Sequence, residues 1–186
     1  MSIKAEIIAD SISPVGYRLT TFILEYPRFI HAEIMTHRVF SKNAASSRAI
    51  PIEKMIEQVE TNPAMPVWWG KNQSGMQAKE ELDDNNKKEF YFDLGDEWSE
   101  LIGYDTPKQL AQEVWLKARD EAIVNVHRLN KIGLHKQIAN RLLEPWFNIR
   151  IILSGTDFDN FCFARAPGRA AWIPRFGLQD AECLQC

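Results

Sequence analysis

The chain has 186 residues, 45% of them hydrophobic, and a formal net charge of −3. This predicts one globular domain with a sizeable core, and the acidic balance argues against a nucleic-acid-binding protein. No apolar run approaches the roughly 18 residues of a membrane helix, and the first residues lack a signal peptide's apolar core. Three late cysteines (Cys162, Cys183 and Cys186) fit a reducing compartment, so we expect a cytoplasmic protein without a membrane partner.

The first predicted elements are two strands, over residues 4–9 and 18–25, which are rich in β-formers. Ser13-Pro14-Val15-Gly16 supplies a turn between them, so we expect an antiparallel pair. Pro27 then opens a helix with Ile30 and Ile34 on its apolar face.

That helix leads into Thr36-His37-Arg38-Val39-Phe40-Ser41-Lys42-Asn43-Ala44-Ala45-Ser46-Ser47-Arg48. The polar groups here are mostly hydrogen-bond donors, which suit an anionic ligand with many oxygens, such as a phosphorylated nucleotide or a dinucleotide cofactor. The alternative is a helix end followed by a turn in which Ser and Asn satisfy backbone groups.

Pro51 starts a second helix over residues 52–61, and an irregular stretch follows over residues 62–76. Its Trp68 and Trp69 either stack on a flat ring such as a flavin or, as we prefer, bury the loop against the body. Residues 79–105 are acidic and predict a solvated insertion, with neither a calcium-loop spacing nor paired acid and base carboxylates.

Thr106-Pro107 begins the longest predicted helix, a central packing helix that ends at about Ile132 before Gly133. A further helix over 134–143, a strand over 147–154 and a short helix over 158–164 follow, with Arg165 at the end. The sequence therefore predicts an α/β (α+β) fold in which an antiparallel sheet packs against helices.

The spacing of the key stretch resembles the signature of the flavin-dependent thymidylate synthases. Six residues match it in register: His37, Arg38, Ser41, Asn43, Ser46 and Arg48. Thr36 and Ala44 depart from it, since the family usually has Arg and Glu at these positions. A second block is similar to the family at Arg141 and at Asn160, Phe161 and Arg165, so the resemblance spans about residues 4–165.

The resemblance implies conversion of dUMP to dTMP, with methylenetetrahydrofolate as carbon donor, FAD as hydride carrier and NADPH as reductant of the flavin. It also implies a thymidylate synthase-like fold and a homotetramer with shared active sites. We expect a single domain over residues 1–165, interrupted by the acidic insertion at about 79–105, and an atypical tail over 166–186.

By position in the signature, the resemblance implies that Arg165 acts at the uracil ring and helps to ionise N3. It implies dUMP contacts from Glu33, Thr36, Ala44, Ser46, Ser47, Arg48, Arg141 and Arg165. It implies FAD contacts from Thr36, His37, Arg38, Asn43, Ala44, Ser154, Thr156 and Asn160. Such permanently charged, fork-shaped guanidiniums suit a phosphate and a developing uracil anion.

The sequence motifs that would indicate other chemistries are weaker. A synthase with a cysteine nucleophile would use Cys162, which reads better as a small core residue. Cys183 and Cys186 lack a second ligand pair, so we expect no metal. The sequence has no Gly-x-Gly-x-x-Gly motif, so we do not expect FAD to bind in the Rossmann manner. Two alternatives stay open: a related flavin enzyme that modifies uracil differently, for example by hydroxymethylation, and a non-catalytic nucleotide- or flavin-binding oligomer.

The tail, which begins Ala166-Pro167-Gly168, loses the family pattern abruptly. Residues 166–186 are compatible with codons that, read in a shifted frame, would encode a peptide beginning His-Leu-Asp-Ala-Gln-Pro. This peptide resembles the family's continuation. We therefore expect a frameshift in the gene or in its sequencing, which reading the coding DNA at codons 165 and 166 would test.

Overall fold

The computed structural model describes residues 3–75, 78–93 and 99–158. In chain order the elements are β1 (Lys4–Ile12), β2 (Arg18–Pro27), a 3-10 helix (Arg28–Ile30), α1 (His31–Met35), β3 (Ser41–Ala44), α2 (Ile52–Thr61), β4 (Lys88–Asp93), β5 (Ser99–Asp105), α3 (Pro107–Lys131), α4 (Lys136–Ala139), a second 3-10 helix (Asn140–Trp146) and β6 (Asn148–Gly155). Helices combined with antiparallel sheets confirm the predicted α+β class.

The predicted N-terminal hairpin is confirmed, and both of its strands extend beyond the predicted ends. The backbone N–H of Gly16 donates to the carbonyl of Ser13 at 2.9 Å. Gly16 has φ +90°, a left-handed conformation that glycine adopts without a Cβ clash. The turn residues therefore fix the register of the adjoining half of the hairpin, up to the shift between Ile7 and Ala9.

The main sheet has the order β1-β2-β6-β3, and every neighbouring pair is antiparallel. Successive side chains of a strand point to opposite faces, and one face is buried, with Phe22 and Leu24 on β2 beside Ile151 and Leu153 on β6. We call this the inner face and the opposite one the outer face. The core of this part of the molecule lies on the inner face.

Helix α2 has the predicted bounds, and its Met55 and Val59 are fully buried. The helix predicted to begin at Pro27 is instead a 3-10 turn followed by the single short helix α1. At its start the buried His31 accepts or donates a hydrogen bond through Nδ1 to the hydroxyl of Tyr26, at 2.8 Å. Desolvation lowers the pKa of His31, and the charges of Arg28 and Lys42 lower it further.

The described residues fall into two compact units, one formed by residues 3–65 with 122–158 and the other by residues 66–121. The second unit contains the antiparallel pair β4–β5, which the sequence analysis did not predict within the acidic insertion. The ring of Trp69 meets that of Trp115 edge-on at 6.3 Å. This contact supports the interpretation of Trp69 as a residue that packs its loop.

Helix α3 begins and ends close to the predicted positions. The hydroxyl of Thr106 accepts from the backbone N–H of Gln109, and Gly133 has φ +83° just after the helix. Its apolar residues recur at helical spacing (Leu110, Val114, Ala118, Ala122, Val126 and Leu129), and this stripe is only partly buried, because Val126 is fully buried while Val114 is 50% exposed. Side chains of this predicted packing helix are therefore buried along only part of its length.

The helix predicted over residues 134–143 is also corrected. Only α4 is α-helical, and the chain continues as a 3-10 helix to Trp146. The helix predicted over 158–164 lies, apart from Phe158, outside the described residues. Among the helices of the described ranges, none combines the length and the apolar character that crossing a bilayer demands.

Candidate functional site

The predicted ligand-binding stretch is anchored in the core by Phe40. A Cβ at Gly155 would lie 2.6 Å from the Phe40 ring, so the glycine of β6 allows the ring to approach the strand closely. The same ring stacks on Phe158 with centroids 4.9 Å apart. Phe40 therefore fixes where β3 begins.

Strand β3 presents polar side chains in a row with its neighbours. The register aligns Thr21 of β2, Ser154 of β6 and Ser41 of β3 across the outer face. The hydroxyls of Thr21 and Ser154 are 2.9 Å apart, and Ser41 and Asn43 are exposed. We call Thr21, Ser41, Asn43 and Ser154 the outer-face row. It joins two predicted flavin contacts, Asn43 and Ser154, on one surface.

Ala44 alternates to the inner face, where it pairs with the buried Ile151. Its side chain therefore does not join the outer-face row, although the resemblance places the equivalent family residue against the ligands. Thr156 is exposed after the end of β6.

Lys42 has a structural role that the sequence analysis missed. Its Nζ donates to the carbonyls of Ile34 and Met35 at 3.1 Å each, and also to the carbonyl of His37. These carbonyls lie at the C-terminal end of α1, where a cation is favoured. Desolvation lowers the pKa of Lys42. Lys42 thus holds the end of α1 against the sheet.

The predicted site residues around the end of α1 differ in their availability. The hydroxyl of Thr36 donates to the carbonyl of Glu33 at 2.6 Å, and both residues are exposed. His37 is half-buried, with its ring 6.3 Å from that of Phe40. Arg38 is exposed and makes no ion pair with any other described residue.

Residues 46–50, which we call the arginine turn, contain three predicted nucleotide contacts: Ser46, Ser47 and Arg48. The backbone N–H of Ala49 donates to the carbonyl of Ser46 at 3.0 Å, which closes a β-turn with Ser47 and Arg48 at its centre. Ser47 is buried, whereas Arg48 is exposed and forms no ion pair within the described ranges. The turn thus keeps the hydroxyl of Ser47 inside and the guanidinium of Arg48 outside.

Three side chains from α4 and the following 3-10 helix grip the arginine turn. Lys136 Nζ donates to the carbonyl of Ala49 at 3.0 Å. Asn140 Nδ2 donates to the carbonyls of Ser47 at 2.8 Å and Ile50 at 2.9 Å. Glu144 Oε1 accepts from the hydroxyl of Ser47 at 2.6 Å. We call Lys136, Asn140 and Glu144 the polar clamp.

The polar clamp also reaches Arg141, the other guanidinium predicted to bind the nucleotide. Its Nη1 lies 3.9 Å from Glu144 Oε2, and the side chain is 58% exposed. Glu144 therefore touches both Ser47 and Arg141. The structure thus links the arginine turn of the first block to Arg141 of the second through Glu144.

Lys136, Asn140 and Glu144 are not among the site residues predicted from the sequence. Their spacing at every fourth position is a signal for one helical face. That spacing does not reveal the partner, however, because Asn140 and Ser47 lie 93 positions apart. The predicted contacts Arg165 and Asn160 lie outside the described residues.

A cavity of about 290 Å³ opens beside the arginine turn. Most of its lining side chains are polar, and the Arg150–Glu25 ion pair, at 2.9 Å, lies in its wall. The lining residues are Glu25, Ala45, Ile50, Gln58, Thr61, Asn62, Phe147, Asn148 and Arg150. No group of His, Cys, Asp and Glu among the described residues is arranged to hold a metal ion.

The fold is similar to that of the UMP/dUMP methylase PolB from Streptomyces cacaoi. With the structure bound with 5-Br dUMP the identity is 15%, the match covers 83% of this chain and 73% of that chain, and the TM-score is 0.53. With the structure bound with 5-Br UMP the corresponding values are 16%, 83%, 72% and 0.50. No protein-family model matches the sequence, and neither does any curated protein sequence. At this identity the likeness establishes a shared fold.

Proposed function

We propose that the protein binds uridine nucleotides and acts as a flavin-dependent thymidylate synthase, which methylates dUMP to dTMP. The observation that carries this proposal is the contact of Glu144 with both Ser47 of the arginine turn and Arg141. The two segments of the chain that resemble the nucleotide-binding parts of this family meet through one carboxylate.

The exposed guanidiniums support binding of a phosphorylated ligand. Arg48 and Arg141 are exposed, and the single ion pair of Arg141 within the described residues is long, at 3.9 Å. A guanidinium that is not saturated by a carboxylate keeps its planar donor fork for phosphate oxygens. The fold of a UMP/dUMP methylase is a second, coarser support, because that protein acts on the same class of nucleotide.

The outer-face row fits the polar edge of a flavin. Its hydroxyls and the Asn43 amide both donate and accept hydrogen bonds, and they lie on adjacent strands of one surface. Bound FAD would supply the hydride chemistry, with NADPH as its reductant and methylenetetrahydrofolate as the carbon donor. The chain's own part would be to orient the ring through Ser154, Asn43 and His37.

The arginines would orient the substrate. Arg48 and Arg141 would hold the phosphate, and Arg165 would lie at the uracil and stabilise negative charge that develops on the ring. A homotetramer of this chain would complete the sites between subunits.

Tritium release from dUMP labelled at C5 tests the reaction directly. Purified protein is given FAD, NADPH and methylenetetrahydrofolate, and the same assay is run with labelled UMP. We expect flavin-dependent release that Arg165→Ala and Arg141→Ala reduce strongly, while the control Arg18→Ala, whose guanidinium is paired with Asp10, retains it. Release without dTMP among the products would point to hydroxymethylation. Binding of dUMP and FAD without release would contradict the enzymatic proposal and favour a binding protein.

A further inference from the structure

We propose that Asn140 and Glu144, aided by Lys136, are positioning residues for the phosphate of the nucleotide. They would fix the arginine turn and Arg141 in one arrangement that the phosphate recognises. The inference rests on the proposed function and adds to it the residues that determine affinity for the phosphate rather than for the base.

Asn140 is built into the fold for its donor group. The side chain is fully buried, and its Nδ2 bonds two carbonyls of the arginine turn. Its Oδ1 is also buried and has no hydrogen-bond partner among the described residues. A buried acceptor without a partner is unfavourable. The cost of this unpartnered oxygen is offset if the hydrogen bonds from Nδ2 to the carbonyls of Ser47 and Ile50 hold the arginine turn in place.

Glu144 couples the turn to Arg141. Its two carboxylate oxygens are divided, one accepting from Ser47 at 2.6 Å and the other facing Arg141 at 3.9 Å. The short contact fixes the carboxylate on the turn. The long contact leaves the guanidinium of Arg141 able to reach a ligand while Glu144 stays fixed on the turn.

The charges around the turn favour a dianion. Arg48, Arg141 and Lys136 contribute positive charges at or beside the arginine turn, and Glu144 contributes a negative one. Charge-assisted hydrogen bonds to phosphate depend strongly on the position of the donors. A turn that moves would therefore lose phosphate affinity first, whereas the base would be held by other contacts.

The test compares the affinity for UMP with that for uridine, and for dUMP with that for deoxyuridine, by calorimetric competition on the full chain. The polar clamp positions the guanidiniums that would donate hydrogen bonds to the charged phosphate, and uridine has no phosphate. We therefore expect Glu144→Ala to weaken UMP binding about tenfold or more and uridine binding by less than about twofold. Glu144→Gln keeps an oxygen acceptor for Ser47, so it should bind UMP nearly as the wild type does. Asn140→Ala should behave like Glu144→Ala, with a melting curve to show that it folds.

The matched control is Asp10→Ala, since Asp10 is also a carboxylate shared between a hydroxyl, that of Thr20, and a guanidinium, that of Arg18. It should leave the ratio of UMP to uridine affinity unchanged. If Glu144→Ala binds UMP as well as or more tightly than the wild type, or if it weakens UMP and uridine equally, the positioning role is wrong. If the wild type binds neither UMP nor dUMP, the proposed function fails, and this inference fails with it.

Discussion

Two carboxylates in this protein hold the same kinds of partner, a hydroxyl and a guanidinium, in different ways. Asp10 accepts from Arg18 through three hydrogen bonds of 2.6–3.1 Å and from Thr20 at 3.0 Å. Glu144 accepts from Ser47 at 2.6 Å but lies 3.9 Å from Arg141. The first cluster is closed on itself. The second is tight on the hydroxyl and loose on the guanidinium.

The difference separates a structural ion pair from a candidate binding group. The Asp10 cluster joins β1 to β2 within one hairpin, and the guanidinium of Arg18 donates hydrogen bonds to the carboxylate of Asp10. The Glu144 cluster joins segments far apart in the sequence and leaves Arg141 largely exposed. In the sequence, each place shows one arginine within eight positions of an acidic residue. The geometry distinguishes them.

The largest expected effect is the loss of dUMP affinity when the exposed guanidiniums are removed. Arg48→Ala and Arg141→Ala should each weaken dUMP binding by about 10–100-fold, since a hydrogen bond to a charged group contributes about 1.5–3 kcal/mol. Arg18→Ala should leave dUMP binding unchanged. Isothermal titration of each variant measures this. Equal losses in Arg18→Ala and Arg141→Ala would show that the exposed arginine has no special part in binding.

A second prediction concerns stability within the predicted signature itself. Lys42→Met removes a cation that bonds three backbone carbonyls at the end of α1, and we expect a loss of about 1–3 kcal/mol in the free energy of unfolding. Lys71→Met is the matched control, because Lys71 forms an exposed ion pair with Glu80 at 3.4 Å, and it should change stability by less than about 0.5 kcal/mol. Urea denaturation distinguishes the two. Similar losses would argue against the capping role of Lys42.

Local patterns predicted the elements that depend on local patterns. The hairpin follows from β-formers around Ser13-Pro14-Val15-Gly16, and α2 follows from Pro51 and its apolar stripe. Strand β3 escaped prediction because its four residues, Ser41–Ala44, are mostly polar, and its strand character comes from pairing with β6. Strands β4 and β5 were hidden in a stretch whose acidic composition suggested only a solvated insertion.

The candidate site divides in the same way. Spacing placed Ser46, Ser47 and Arg48 in one group, and the structure finds them in a single turn. The polar clamp could not be predicted, because it depends on contacts between positions about ninety residues apart. Lys42 reads in the sequence as one more donor for a ligand, and only its three carbonyl partners reveal a structural role.

A third prediction concerns the buried His31, whose Nδ1 is hydrogen-bonded to the hydroxyl of Tyr26. Burial lowers the pKa of His31 below its usual value of 6.5, so the unfolded chain binds a proton more readily than the folded one. Stability should therefore fall as the pH drops from about 6.5 towards the lowered value, and level off below it. Thermal melts of the wild type between pH 8 and pH 5 should show this slope, and His31→Gln should reduce it. Parallel curves would mean that His31 does not contribute.

The smallest expected effect sharpens the comparison at Asp10. The hydrogen bonds from Arg18 lower its pKa below the usual 3.8, so here the unfolded chain binds the proton more readily as the pH falls. The contribution of Asp10 is thus fully present above that usual value and is lost as the pH falls through the lowered one. Because the pair is exposed, Asp10→Asn should lower the melting temperature only slightly at pH 7, and the difference from the wild type should shrink on acidification to about pH 2. A difference that persists unchanged at low pH would assign the effect to packing rather than to charge, and the closed cluster would then no longer be the electrostatic counterpart of the one at Glu144.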